Sequence, residues 1–399
     1  MKTYKFRLYP NEKDREKLDQ TLELCRQIYN HFLEELNERD DVPPRTELQS
    51  QLPNLKERWD ELDSVHSKVL QMVLYRLYSN LRSLSEKKKN GYKVGRLRFK
   101  GKGWFKTFTY NQSGFKIVKT ENRLDILKLS KIGEIPIRIH REVKGKIKQI
   151  TIKRAQSGKW FACIQTDHEE NRESGEGVVG IDLNTENYLT DSDGNVVENP
   201  RFLEEKEEKL KKEHRNLSRK EEGSKNREKQ RVKLGKAYEK LVNCRRDFIH
   251  KLTTAYVENY DTIILEDLNI GEMCEGSRYA KSNLSASWGL FKELLLYKAE
   301  SAGVEVVLVD PEDTTRECSQ CGSVVPKRIW NREHKCPECG FETTRDHNSA
   351  LNIKKRGLNK LGRGQAESTP VDTGASTLTH VRASSVVESG SSFLTSKAS

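Results

Sequence analysis

Four cysteines in two pairs, Cys318-x2-Cys321 and Cys336-x2-Cys339, are separated by fourteen residues and end seven residues before Asp346. Each pair offers two thiolates from one tight turn, and four soft sulfurs close a tetrahedral sphere around a single Zn²⁺. Gly322 and Gly340 follow the pairs and supply the backbone freedom such turns need. The gap is one residue short of the usual double Cys-x2-Cys spacing, so a pair of redox dithiols is the competing reading. Three acids make a second pattern. Asp182 and Glu266 each end an apolar run, and Asp346 opens a segment with apolar Ala350, Leu351 and Ile353. A carboxylate at the end of a buried strand is costly unless it meets a cation or hydrogen-bond donors. Three of them from three separate elements, gathered at one sheet end, suit two-metal phosphodiester hydrolysis, with two Mg²⁺ or Mn²⁺ ions roughly 4 Å apart. Any one of the three alone reads more simply as a cap or rim residue.

These residues need elements to carry them. From Gly175 onward the sequence reads as α/β, with Val178–Leu183, Thr262–Glu266 and Val304–Val309 as largely buried strands. Between the first two, Glu204–Lys240 is dense in both charge signs and predicts a pair of solvated helices with supporting ion pairs. Its excess of Lys and Arg would also suit a nucleic-acid duplex. Upstream, residues 3–9 alternate as a strand that Pro10-Asn11 stops, and Leu18, Leu22, Cys25, Tyr29, Phe32 and Leu36 then fall on one helix face. A second face carries Val69, Leu70, Val73, Leu74, Leu77, Leu81 and Leu84, so a small helical part is inserted after one strand. Ile147–Lys153 and Trp160–Thr166 flank a Gln156-Ser-Gly158 turn, and residues 97–168 predict an antiparallel barrel or sheet that the first strand rejoins. Residues 361–399 are rich in Ser, Thr and Gly, hold no apolar period, and are expected to be disordered.

The chain of 399 residues is long for one core, and roughly two to four domains are expected. Its net charge is +12 with 33% charged residues, which points to a polyanionic partner. Lys87–Lys106 holds nine Lys or Arg and no acid, with Tyr92, Phe99, Trp104 and Phe105 interleaved. Such rings can stack on bases while Lys87, Lys88, Lys89, Lys93, Arg96, Arg98, Lys100 and Lys102 meet phosphates. The plainer reading is a solvated basic loop whose aromatics anchor a sheet. No run of eighteen apolar residues exists, so no membrane partner is expected and the protein should be soluble and cytoplasmic. Cys25, Cys163, Cys244 and Cys274 are scattered and read as small buried or inert thiols in a reducing compartment.

The sequence resembles the TnpB family, insertion-sequence proteins similar to type V CRISPR effector nucleases. The likeness runs over nearly the whole chain: Lys5-x-Arg7-Leu-Tyr-Pro10, Arg98-Phe-Lys100, Gly114-Phe-Lys116, Gly180-Ile-Asp182, Asn199-Pro-Arg-Phe202, Asp247-Phe-Ile-His-Lys251, Leu265-Glu-Asp-Leu268, Trp288-x2-Phe291, Tyr297-Lys298, the four cysteines and Arg345-Asp-x-Asn348. It implies a multidomain fold with α/β, all-β and helical parts. These are a wedge β-barrel (1–10 and 97–172), a helical recognition domain (11–96), an RNase H-like RuvC nuclease domain (173–315 and 343–360), an inserted zinc ribbon (316–342) and the tail (361–399). Carried over by position, the catalytic, Mg²⁺-holding triad falls on Asp182, Glu266 and Asp346, and the ligands of one structural Zn²⁺ on Cys318, Cys321, Cys336 and Cys339. The implied partners are a guide RNA encoded at the element end and double-stranded target DNA, with one protein copy on the RNA, acting at the prokaryotic nucleoid. Three positions depart from the family pattern. Asn184 stands where glycine is usual, and Asn tolerates the left-handed backbone such a turn would use. Glu186 replaces a frequent basic residue, and Thr344 a frequent acid.

The leading function is thus an RNA-guided DNA endonuclease in which base pairing supplies most of the sequence specificity. The alternative is a non-cutting RNA-guided DNA-binding repressor or transposition regulator, because some relatives of this kind lack the triad. A zinc-ribbon transcription factor is disfavoured by the three strand-associated acids. A DDE-type transposase is disfavoured by the ribbon directly before the last acid and by the lack of an evident separate DNA-binding module.

Overall fold

A computed structural model describes residues 1–169, 172–184, 186–268, 287–327 and 331–363. The chain divides into two compact units, Met1–Glu169 with Gly223–Gly235, and Glu170–Glu222 with the residues from Lys236 on.

The first unit opens with β1 (Lys2–Leu8) and the 27-residue α1 (Glu12–Glu38). Asn11 caps α1 by accepting the Asp14 N–H at 2.8 Å. Short helices α2 (Arg45–Ser50) and α3 (Leu52–Arg58) lead to α4 (Ser67–Lys89). The expected apolar face of α1 is buried throughout, against Val69, Leu70, Val73, Leu74 and Leu77 of α4. Six further strands follow: β2 (Thr107–Asn111), β3 (Phe115–Val118), β4 (Asp125–Leu129), β5 (Gly133–Arg138), β6 (Ile147–Arg154) and β7 (Trp160–Thr166). They join β1 in one antiparallel sheet of order β2-β6-β7-β1-β5-β4-β3. The first strand therefore does rejoin the later ones, at the centre, with Phe6 opposite Ala162 and Leu8 opposite Ile137. Tyr4, Phe6 and Leu8 alternate into a core that continues through both the helices and the sheet. Tyr110 on edge strand β2 donates to the Ser130 carbonyl after β4 at 2.8 Å, which ties the sheet into a curl.

The second unit is α/β. Strands β8 (Val178–Leu183), β9 (Asn187–Asp191) and β10 (Val196–Glu198) precede α5 (Phe202–Ser218) and α6 (Lys225–Asn259). Next come β11 (Thr262–Glu266), α7 (Trp288–Ala302), β12 (Glu305–Val309), the small hairpin β13 (Glu333–Lys335) and β14 (Glu342–Thr344), and α8 (Arg345–Lys360). The sheet order is β10-β9-β8-β11-β12, with β8, β11 and β12 parallel and β9–β10 an antiparallel extension. The two expected charged helices are present, but α6 runs on past Lys240 to Asn259. Buried Leu241, Phe248, Ile249, Leu252, Tyr256 and Val257 carry it there, an apolar stripe that the charge density upstream obscures.

Two glycines seat α8 on the sheet. A Cβ at Gly180 would lie 2.3 Å from the Ala350 carbonyl oxygen and 2.6 Å from the Lys354 nitrogen, and one at Gly357 would lie 2.5 Å from Ile264 side-chain carbons. No other residue allows backbone and strand to approach so closely. Leu361 still packs on this core, whereas the expected disorder of the tail concerns, from 364 on, positions outside the described residues, as does Cys274. Among the described residues no helix is long and apolar enough to cross a membrane.

Candidate functional site

Parallel pairing decides where the first two acids go. Leu265 lies opposite Ile181, so Glu266, the last residue of β11, comes level with Asp182, the penultimate residue of β8. Neighbouring strands stand about 4.8 Å apart. The N-terminus of α8 arrives at the same edge, brought there by the contacts at Gly180, and holds Asp346 in its first turn. The helix dipole favours a negative charge at that position. Thr344 takes over the N-cap, accepting the His347 N–H at 3.2 Å, a role that explains a hydroxyl where an acid is frequent.

Asp182 lies close to both of the other acids. Asp182 is 6% exposed and Asp346 9%, while Glu266 is half-buried. Burial first, and then the negative charges of Glu266 and Asp346, push Asp182 up to about 8. Burial also raises Glu266, against the Thr314 hydroxyl and the Arg356 guanidinium. Thr314 Oγ1 donates to Glu266 Oε1 at 2.6 Å. Asp346 meets two guanidiniums, Arg345 Nε at 3.3 Å and Arg332 at 3.7 Å, and Arg332 also pairs with Glu186 at 2.7 Å. The acid found at 186 thus has its own cation. Asn184 departs from expectation: it is not among the residues of positive φ, and it shapes the turn through its side chain, Oδ1 accepting the Asn187 N–H at 2.9 Å.

Hard oxygen donors from three elements fit divalent cations such as Mg²⁺. Ser349 Oγ and Asn184 Nδ2 stand beside Asp182 and draw its pKa down somewhat. Yet both are buried without a hydrogen bond of proper geometry, leaving polar atoms for water around an ion.

The cysteines form a second centre. All four sulfurs lie within 4.8 Å of one another, with Cys318–Cys339 at 3.7 Å and Cys321–Cys336 at 3.5 Å. Zn–S bonds of about 2.3 Å in a tetrahedron give edges of about 3.8 Å, whereas a disulfide needs about 2.05 Å. The two knuckles repeat one geometry. Gly322 and Gly340 have φ of 81° and 75°, their N–H groups reach the Cys318 and Cys336 carbonyls, and the Cys318 and Cys336 N–H groups reach Ser323 and Phe341. These sites, like the glycine turns, were expected from the pair spacing.

Side chains of α8 join the two centres, and of these Asn352 and Arg356 belong to no motif noted in the sequence. Asn348, Asn352 and Arg356 recur every fourth residue along α8 and hold the segment 310–319 that leads into Cys318. Arg356 donates to the Asp310 and Glu312 carbonyls and pairs with Glu317 at 2.9 Å. Asn352 donates to the Thr314 and Glu317 carbonyls at 2.9 and 2.7 Å, and Asn348 takes the Ser319 N–H while donating to Glu317. The i, i+4, i+8 spacing of three polar residues on an otherwise covered helix was the available signal.

In the first unit, Lys87, Lys88 and Lys89 form the last turn of α4 and lie exposed, as do Lys93, Arg96, Arg98 and Lys102. Tyr92, Phe99 and Trp104 are 67%, 55% and 74% exposed, so their rings are free to stack. Phe105 differs, being buried in the core. The segment is pinned at half-buried Lys100, whose N–H and C=O both pair with the Asn30 amide at 2.8 and 3.0 Å while Arg26 donates to the same carbonyl.

Three family models match parts of the chain: the OrfB_IS605 transposase model over residues 161–276, the Cas12f1-like TNB domain over 288–353, and the OrfB_IS605 helix-turn-helix domain over 1–39. In the last region the structure holds β1 and the uninterrupted α1. The chain is 29% identical over 385 residues to InsQ of Escherichia coli K12, named as an RNA-guided DNA endonuclease, covering 92% of this chain and 94% of that one. It is 32% identical over 148 residues to the CRISPR-associated endodeoxyribonuclease Cas12f1 of Sulfoacidibacillus thermotolerans, 35% of this chain and 33% of that one. Its fold is similar to that of a Cas12f1 solved with sgRNA and target DNA, with a TM-score of 0.59 at 16% identity over 87% of this chain and 83% of that one.

Proposed function

The chain belongs to the TnpB family, related to the type V CRISPR effectors, and from that premise we propose that it is an RNA-guided DNA endonuclease of a transposable element. Residues 1–10 and 97–172 are its wedge domain, 11–96 its recognition domain, 173–315 with 343–360 its RuvC nuclease and 316–342 its zinc ribbon. Guide RNA and target DNA are its partners, and one copy acts on each RNA. The observation that carries the reading is the convergence of Asp182, Glu266 and Asp346, from two paired strands and a helix first turn, at one sheet end.

These three carboxylates would hold two Mg²⁺ or Mn²⁺ ions, which when bound supply an activated water and neutralise charge on the departing oxygen. Asp182 and Glu266 are fixed by paired strands and Asp346 by a helix first turn, so the ligands come from rigid elements. Four cysteines hold one structural Zn²⁺ with no open position, and they take no part in the reaction. The exposed cations and rings between Lys87 and Trp104 contact phosphates and bases.

A second reading, a non-cutting guided binder or repressor, has one observation on its side: Asp346 already faces two guanidiniums, as a carboxylate without a metal would. Cleavage of a plasmid carrying the target by the protein–RNA complex in Mg²⁺ separates the two. Asp182→Ala should abolish cutting and leave guided binding nearly intact. Binding without any Mg²⁺- or Mn²⁺-dependent cutting by the wild type would establish the second reading instead.

A further inference from the structure

We propose that Thr314 is a positioning residue for Glu266, aiming its carboxylate at the divalent-metal site, and that the root of the zinc ribbon is the frame that holds Thr314 in place. The inference rests on the carboxylate site being a metal site. It concerns a residue outside the three acids and the four thiolates.

Glu266 lies opposite Val309 in the ladder, which fixes its backbone and leaves its side-chain torsions unrestrained. A half-buried glutamate has three side-chain torsions to fix, and a metal ligand left loose loses affinity through that freedom. Thr314 supplies the restraint. It is 1% exposed, and its hydroxyl lies 2.6 Å from Glu266 Oε1 and 3.2 Å from the Pro311 carbonyl. One hydroxyl proton serves one strong bond, and the short approach to the charged oxygen is the stronger. With Oε1 engaged, Oε2 is the oxygen left to face the site.

Thr314 is itself held from behind. Its carbonyl accepts from Asn352 at 2.9 Å, and the same amide reaches the Glu317 carbonyl, one residue before the zinc ligand Cys318. Asn352 stands on α8, the helix whose first turn carries Asp346. One helix therefore presents Asp346 directly and fixes Glu266 indirectly, through a segment of backbone stretched between β12 and the first knuckle. Outer partners of metal-ligating carboxylates act in this way, and losing one costs about 10- to 100-fold in metal affinity.

The test compares Thr314→Val, which keeps shape and removes the hydroxyl, with Thr314→Ser, which keeps the hydroxyl. Mn²⁺ is titrated against the full chain bound to its guide RNA, reading thermal stabilisation and the electron paramagnetic resonance of bound Mn²⁺, with zinc content measured in parallel. Thr314→Val is expected to raise the half-saturating Mn²⁺ concentration about tenfold or more, at unchanged zinc content, and Thr314→Ser to restore it. Wild-type affinity in Thr314→Val would overturn the proposal. So would loss of zinc in Thr314→Val together with failure of Thr314→Ser to rescue, since that pattern is purely structural. A wild type that shows no Mn²⁺ response at all would instead remove the metal-site reading on which the proposal stands.

Discussion

Replacing Asp182 by asparagine should stabilise the metal-free protein while ending its chemistry. Asp182 is buried at a sheet edge beside two other acids, and its pKa rises from an ordinary 3.8 to about 8. At about 1.4 kcal/mol for each tenfold, ionising it in the fold costs on the order of 5 kcal/mol relative to the unfolded chain. The folded state keeps the proton over a range in which the unfolded state has lost it. Stability in buffer free of Mg²⁺ and Mn²⁺ should therefore fall as pH rises from about 4 to about 8 and level off above that. Asparagine has the same shape and does not ionise, so this part of the decline disappears. Movement of Glu266 and entry of water relieve some of the repulsion, and a gain of about 2 kcal/mol at pH 8 is expected, or about 4 to 8 °C in Tm for the α/β unit. Excess Mg²⁺ should close the gap by stabilising the wild type alone. Urea and thermal unfolding followed by circular dichroism, across that pH range with and without Mg²⁺, measure all of this. An Asp182→Asn variant no more stable than wild type at pH 8 in buffer free of Mg²⁺ and Mn²⁺, or a wild type indifferent to pH in this window, would refute the electrostatic account of the site.

The four thiolates should hold one Zn²⁺ per chain, and Cys336→Ser should lower both zinc content and cutting; elemental analysis near zero in protein purified without chelator would remove the claim. Changing Lys87, Lys88, Lys89, Lys93 and Arg96 together to alanine should reduce the slope of log affinity against log salt by up to about 4, if each meets a phosphate. An unchanged slope would mean that these exposed side chains are merely solvated. Gly180→Ala should cost about 3 kcal/mol or expel α8 from β8, because the added carbon meets backbone atoms that have nowhere to go; chemical denaturation reads it, and wild-type stability would show that the helix seat is softer than drawn.

What could be read from residues alone was whatever is local. Each cysteine pair lies within one turn, so ligand type and spacing carry the whole signal. The ends of β8 and β11 were visible because an acid interrupts an apolar run. Thr314 was not, since its partner Glu266 lies 48 residues away and a threonine before a cysteine pair carries no mark of its bond. Trp104 and Phe105 are adjacent, yet one is exposed and the other is core, because the irregular segment pinned at Lys100 follows no alternation that a pattern could reveal. Asn184 keeps the turn by a route unlike the one its type suggested: side-chain capping replaces left-handed backbone. The central place of β1 in its sheet is a matter of long-range pairing, to which the alternation of residues 3–9 is indifferent.

The seat that Gly180 keeps for α8 also sets a clock. Asp346 is synthesised 164 residues after Asp182, which at ordinary ribosomal speeds is roughly 10 to 30 s later. During that interval β8 and β11 can pair, but the groove over Gly180 stays uncovered and the third acid does not yet exist. A nascent or prematurely released chain thus carries the exposed basic segment Lys87–Lys102 complete while the three-acid cluster is unfinished.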